Sequence, residues 1–140
     1  MKLSRTVTYA LQATLLLAQA EPGEPVPCSR LAAEGAMPER FLLQILRSLV
    51  THGILQSTRG VEGGYTLDRS AEEISLLDII EAVDGPMNMK LPFADVIPTE
   101  SQARLRDALH SIASSSRTQL QEVKIAHLVN PRKLEKQLTG

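Results

Sequence analysis

The chain of 140 residues has a formal net charge of −1, and 43% of its residues are apolar. This size suits one folded domain with a real core, or one domain plus an extension, and the apolar content argues against a disordered chain. Two Tyr, two Phe and no Trp exclude an aromatic stacking platform for single-stranded nucleic acid. The charge argues against binding to nucleic acid by net charge alone, so any DNA contact must come from locally placed arginines.

The single cysteine, Cys28, excludes a disulfide framework within one chain and fits the reducing cytoplasm. Residues 11–20 are apolar and follow two basic residues, as in a signal peptide. Polar residues interrupt this stretch, however, and it is too short to span a bilayer. We therefore expect a cytoplasmic protein with no membrane contact.

The first half of the chain predicts a helix-turn-helix. Residues 4–20 have apolar positions at helical spacing, with Ser4 as the N-cap, and form a core helix. After a proline-rich turn, residues 29–34 predict a short helix, Gly35 follows it, and Pro38 is expected as the first residue of a longer helix. A short helix, a turn containing Gly and a longer helix form the helix-turn-helix pattern.

The longer helix carries the candidate base-reading residues. In helix-turn-helix geometry the N-terminal turn of this helix faces the major groove, which places Pro38, Glu39, Arg40 and Gln44 at DNA. Arg47 lies on the same helix. Gln pairs bidentately with adenine and Arg with guanine, so Gln44 and Arg40 suit base reading. Taken alone, each residue could equally be a solvated surface side chain.

A hairpin follows the longer helix. Gly53 ends the helix, and short apolar strands then flank a glycine-rich turn at residues 60–64. Gly60 and the later glycines allow the positive φ values of a tight turn, so Arg59 can approach a phosphate or enter a narrow minor groove. In isolation this would be an ordinary surface turn. A helix that leads into an arginine-bearing hairpin predicts a winged helix-turn-helix DNA-binding domain over residues 1–86.

The second half predicts a dimerisation helix. Residues 75–84 form a buried helix that begins with a capping box of Ser75 and Asp78, and residues 87–100 form a loop. From residue 101 to 121 apolar side chains recur at spacings of three and four, as in a helix with one apolar stripe. Residues 101–130 are assigned to this helix and a short helix near Leu128 and Val129, before a charged tail at 131–140.

The apolar stripe predicted for residues 101–121 must be covered by another apolar surface. We expect the same helix of a second subunit to cover it in an antiparallel or crossed pair, since soluble oligomers are mostly symmetric. Packing on its own domain is the alternative. The fold class is thus mainly α with a small β-hairpin wing, plus a long C-terminal dimerisation helix. The candidate dimerisation residues are Leu105, Leu109, Ile112, Ser116 and Leu120.

Four segments carry a family resemblance: MKLSRTVTYAL, LLQILRSLVTHGIL, STRGVEGGYTL and ISLLDIIEAVDG. Together they resemble the Rrf-two family of bacterial winged helix-turn-helix transcription regulators over essentially the whole chain. The most specific part is the glycine-rich wing followed by the helix ISLLDIIEAVDG. The resemblance implies a homodimer that binds double-stranded DNA at operator-like palindromes, with Gln44 in a base-contacting position and Arg59 as the minor-groove arginine. We expect a repressor.

The chain departs from the cluster-binding members of that family. Those members carry three cysteines in the loop before the dimerisation helix, whereas here PMNMKLPFADVIPTE holds neither cysteine nor histidine. Iron–sulphur clusters need mostly thiolate ligands. His52, His110 and His127 have no metal-ligand spacing either. We expect no cluster, no other metal and no cofactor.

Two alternatives remain open, a redox sensor and a protein-interaction module. Cys28 lies just before a helix N-terminus near Arg30, which could lower its pKa and make it a redox sensor; a small buried hydrophobe is the competing interpretation. A protein-interaction module that has lost DNA binding is also compatible with the charge. An enzyme is not expected, because the glycine-rich turn lacks the Lys and Ser of a phosphate loop and no nucleophile and base converge.

Overall fold

The structure is a computed structural model that describes residues 2–87 and 94–129. The loop predicted for 87–100 falls partly, and the tail predicted for 131–140 wholly, outside these residues. In chain order the elements are α1 (Arg5–Gln19), α2 (Cys28–Gly35), α3 (Glu39–Thr51), β1 (Leu55–Thr58), β2 (Gly64–Leu67), α4 (Leu76–Asp84), α5 (Thr99–Glu122) and a 3₁₀ helix (Ile125–His127). The expected fold class is confirmed. None of the helices described is both long and apolar enough to cross a bilayer.

The core forms where α1 packs against α3 and α4. The apolar stripe of α3 is fully buried at Leu42, Leu46 and Leu49. Burial of one such side chain stabilises the fold by about 1.5–3 kcal/mol, so the inner face of α3 fixes its orientation. The opposite face of α3 is consequently held outward.

Several predicted boundaries differ from the structure. The helix α1 ends at Gln19 and not at residue 20, and α5 begins at Thr99, so the last two residues of the predicted loop 87–100 are helical. The second helix begins at Cys28, one residue earlier than expected. Pro38 is not the first helical residue: it is extended, with φ −63° and ψ 121°, and its carbonyl accepts a 2.9 Å hydrogen bond from the Leu42 N–H of the first turn. The short helix after α5 is a 3₁₀ turn at Ile125–His127, so it precedes the residues to which it was assigned.

The wing is a two-stranded antiparallel hairpin in which Leu55 pairs with Leu67 and Thr58 with Gly64. A third segment pairs with it. Val26 and Tyr65 exchange two backbone hydrogen bonds of 3.0 and 2.9 Å. Gly64 makes this approach possible, because a Cβ there would overlap the backbone of Val26. The wing is therefore tied to the segment that leads into α2.

The capping box that begins α4 is confirmed. The Asp78 N–H donates to Ser75 Oγ and the Ser75 N–H donates to Asp78 Oδ2, both at 3.0 Å. Behind α4 the end of α5 is anchored: the Leu76 N–H donates to the Val123 carbonyl at 3.0 Å. Leu120 of α5 is buried in a small cluster with residues of α1 and α4. The structure thus places Leu120 in the core of its own subunit, not on the exposed stripe predicted for it, because the last turns of α5 dock on α4.

Candidate nucleic-acid interface

The exposed face of α3 collects three of the predicted DNA-binding residues. Arg40, Gln44 and Arg47 are all exposed and follow one another at spacings of four and three, so they lie along one side of the helix. Within residues 2–87 and 94–129 the side chains of Arg40 and Gln44 make no hydrogen bond or ion pair. Their donors and acceptors are therefore available to a ligand.

Two more of the predicted DNA-binding residues lie where α3 begins. Pro38 and Glu39 are both exposed. The Glu39 carbonyl accepts a long hydrogen bond, 3.8 Å, from the Cys28 thiol. The start of α3 is thus in contact with the start of α2, and Glu39 adds a negative charge beside the arginines.

The wing turn carries Arg59 and Gly60 at its exposed end. Gly60 has φ +115°, a backbone angle that residues with a side chain rarely adopt. Its carbonyl accepts a 3.0 Å hydrogen bond from the Gly63 N–H. A Cβ on Gly63 would overlap the Thr58 carbonyl. The turn is therefore thin, and Arg59 has no side-chain partner among the residues that the structure describes. We call Arg40, Gln44, Arg47 and Arg59 the reading surface.

Tyr65 lies at the joint between this wing and the helix-turn-helix unit. Burial raises the pKa of Tyr65, Cys28 nearby raises it further, and the Arg47 guanidinium acts in the opposite direction. Cys28 of α2 and Arg47 of α3 are therefore close enough to Tyr65 of β2 to affect its pKa electrostatically. The pairing of Tyr65 with Val26 could not be predicted from the sequence, because no local pattern links two such distant segments.

Cys28 does not have the lowered pKa considered from the sequence. Burial raises the pKa of its thiol, and the negative charge of Glu39 raises it further. Arg30, the basic residue expected to favour the thiolate, instead forms a 2.8 Å ion pair with Glu34 one turn later. A helix N-terminus would lower the pKa of the Cys28 thiol. Burial of the thiol and the nearby Glu39 carboxylate outweigh this effect, so the pKa is raised.

The predicted dimerisation residues divide into two groups. Leu105 and Ile112 are 46% and 57% exposed, and Leu109 and Ser116 on the same stripe are partly buried. Leu120 is only 9% exposed. The outer half of α5 thus carries an accessible apolar stripe, whereas its last turns belong to the subunit core.

The donor set does not fit an iron–sulphur cluster. The whole chain contains one cysteine, and clusters are held mostly by several thiolates. Across the residues described, no three His, Cys, Asp or Glu side chains come together in a way that could hold a metal ion.

Residues 3–131 match the model of the Rrf2 (Rrf-two) family, whose description is iron-dependent transcriptional regulator. The chain belongs to the Rrf2 family. A candidate HTH-type transcriptional regulator of Mycobacterium tuberculosis, Rv1287, is 34% identical over 90% of this chain and 80% of its own length. The HTH-type transcriptional regulator CymR of Bacillus subtilis is 29% identical over 83% of this chain and 86% of its own length.

Solved structures agree with this assignment. The structure of CymR, the global cysteine regulator of B. subtilis, superposes with a TM-score of 0.68 at 26% identity, over 91% of this chain and 95% of CymR. That of IscR from T. potens superposes with a TM-score of 0.67 at 26% identity, over 91% of this chain and 85% of IscR. The Rrf2 chain is therefore a DNA-binding transcriptional regulator with a winged helix-turn-helix, and not an enzyme. The roles of its individual residues stay predictions.

Proposed function

We propose that this Rrf2 regulator is a cytoplasmic, homodimeric repressor that binds a palindromic operator in double-stranded DNA. The observation that carries the proposal is the reading surface, in which an unobstructed polar face of α3 accompanies a thin arginine-bearing wing. With α3 in the major groove, Arg40 suits guanine and Gln44 suits adenine, each good pair discriminating by about 1–3 kcal/mol. Arg59 then enters the flanking minor groove, where the negative potential is strongest.

The accessible stripe of α5 supports the homodimer. Leu105 and Ile112 are about half exposed on a helix whose inner end is anchored. A second copy of the same helix covers such a stripe with closed twofold symmetry. Two reading surfaces related by a twofold axis match two inverted half-sites, so the operator is palindromic.

In this proposal, repression results from the presence of the dimer on its operator. A dimer seated on an operator that overlaps a promoter excludes the polymerase from the same DNA, and it needs no separate activating contact.

Selection of bound fragments from genomic DNA tests the proposal, followed by gel shifts over a salt series. We expect selected fragments to share an inverted repeat, and the logarithm of the affinity to fall linearly and steeply with the logarithm of the salt concentration. Transcription in vitro from a promoter that contains the site should fall when the protein is added. Absence of specific binding would favour the protein-interaction module. A rise in transcription would contradict the repressor.

We further propose that the regulator works without an iron–sulphur cluster. The support is the single cysteine in the sequence and the cysteine-free stretch at residues 86–100. Anaerobic reconstitution with iron and sulphide should give no stoichiometric visible absorption band, and the operator affinity should be unchanged. A stoichiometric band that is lost in Cys28→Ser would overturn this proposal.

Redox sensing through Cys28 is the second candidate, favoured by the likeness to CymR of Staphylococcus aureus, which has been solved in an oxidised form. The raised pKa opposes it: a thiol whose folded pKa lies above its ordinary value stays protonated at neutral pH, and the thiolate is the reactive form. Alkylation of native protein should therefore be slower than that of unfolded protein and should accelerate at a higher pH. Peroxide that weakens operator binding in the wild type but not in Cys28→Ser would establish sensing.

A further inference from the structure

The inner end of α5 is joined to α4 by an ion pair as well as by packing. Arg117 Nη2 lies 2.7 Å from Glu81 Oε1, and the two residues are 36 positions apart in the chain. The Glu81 side chain is 22% exposed and that of Arg117 is 50% exposed, so the pair is partly shielded from water. One turn later on α5, Leu120 is buried between α1 and α4.

This pair differs from the other ion pairs in residues 2–87 and 94–129. Arg30–Glu34 and Arg104–Glu100 each join neighbouring turns of a single helix. Arg69 pairs with Asp78 at 3.5 Å and links α4 to the segment before it. Arg117–Glu81 is the pair that joins α4, part of the DNA-binding unit, to α5, which carries the accessible stripe.

Contacts spread along a helix fix its direction more firmly than contacts confined to its last turn. Leu120 and the Val123 carbonyl, which accepts from the Leu76 N–H, both lie at the last turn of α5, and Arg117 adds a contact about 4.5 Å beyond Leu120 along the helix axis. Leu105 lies a further 12 residues, or about 18 Å, towards the outer end of α5. A tilt of about 10° about Leu120, which lies about 22 Å from Leu105, would move that end by about 4 Å, close to the spacing of one base pair, about 3.4 Å.

We propose that Arg117 and Glu81 are positioning residues that set the angle between α5 and the reading surface, and thereby the half-site spacing that the dimer accepts. The inference rests on the proposed homodimer through α5. Neither residue contacts DNA in this scheme. They act through the direction in which each subunit presents its reading surface.

Charge-swap variants test the inference on the full-length protein. Gel shifts would compare Glu81→Arg, Arg117→Glu and the double swap on the selected operator and on operators with the spacer one base pair shorter or longer. A partly exposed pair shifts an equilibrium by roughly two- to fivefold, and a dimer contains two copies. Each single swap should reduce the preference for the selected spacing about four- to twenty-fivefold, because the effects of the two copies multiply, with unchanged affinity for one isolated half-site. The double swap, which leaves the net charge unaltered, should restore the preference.

The matched control is Arg104→Glu, which makes the same change of charge on α5 but breaks only a pair within that helix. It should leave the spacing preference as in the wild type. An unchanged preference in both single swaps would overturn the inference, as would an equal loss on all spacings that the double swap does not restore. A wild-type protein that sediments as a monomer, or that binds paired half-sites no better than one, would instead refute the proposed homodimer and remove this inference with it.

Discussion

In the proposed interface, single residues carry the DNA affinity of this regulator. Its net charge of −1 provides no general attraction to DNA, and Glu39 and Glu62 lie on the exposed surface of the same unit as the arginines. We therefore expect each arginine of the reading surface to contribute through its position. Arg59 depends most on backbone conformation, because the turn beyond it requires a positive φ at Gly60 and close backbone contact at Gly63.

Arg59→Ala should weaken operator binding about tenfold or more, since a charge-assisted hydrogen bond contributes roughly 1.5–3 kcal/mol. The salt slope should also fall by about one for each lost phosphate contact. Gel shifts over a salt series measure both quantities. Arg104→Ala, which removes an equal charge from the exposed part of α5, is the control. Unaltered affinity and site choice in Arg59→Ala would show that the wing does not contact DNA.

At the scale of elements, the wing is held by pairing and not by its own core. β1 contributes one fully buried residue, Leu55, and β2 is half-buried along its length. An isolated two-stranded hairpin is marginally stable in water. The two hydrogen bonds between Val26 and Tyr65 therefore matter, because they attach the wing to the segment before α2.

Gly64→Ala should separate the wing from that segment. The new Cβ would overlap the backbone of Val26, and such overpacking typically costs about 1–3 kcal/mol. Gly53→Ala is the matched control: Gly53 also has a positive φ, +74°, but nothing lies within 4 Å of the added Cβ. Chemical denaturation should show both variants destabilised, while only Gly64→Ala loses the affinity that depends on Arg59. Wild-type DNA binding by Gly64→Ala would count against this role of the pairing.

At the scale of the whole molecule, α5 is divided between two tasks. Its last turns complete the subunit through Leu120 and the Arg117–Glu81 pair, and its outer half exposes Leu105 and Ile112. One helix thus connects the subunit core to the surface on which we propose the second copy docks. The geometry of the assembly then depends on how rigidly the inner end is attached.

Ile112→Glu should convert the dimer to a monomer, because it places a charge in the middle of the stripe. The folded subunit should keep its stability, since Ile112 is 57% exposed. Leu120→Ala, in contrast, should lower the free energy of unfolding of the subunit by about 2–5 kcal/mol, because Leu120 is buried in the core of its own subunit. Sedimentation gives the mass and thermal unfolding the stability. A dimer that persists in Ile112→Glu would refute the assigned interface.

The sequence by itself determined the elements whose causes lie within a few residues of one another. The Ser75–Asp78 capping box, the glycine that follows α3 and the period of α3 are all local, and each was predicted correctly. The same locality explains why the arginine, glutamine and wing positions could be placed on a winged helix-turn-helix. The family resemblance, which the match over residues 3–131 confirms, rests on those local patterns.

Only the tertiary structure decided how distant segments meet. Val26 pairs with Tyr65, Leu120 turns inward and Arg117 reaches Glu81 because particular faces of the helices dock, and helical periodicity cannot say which partner a face selects. The choice between the two interpretations of Cys28 also depended on the tertiary structure. Arg30, its neighbour in the sequence, suggested a positive charge that would lower the pKa of the Cys28 thiol. Burial and Glu39, a residue of the next helix, instead raise that pKa.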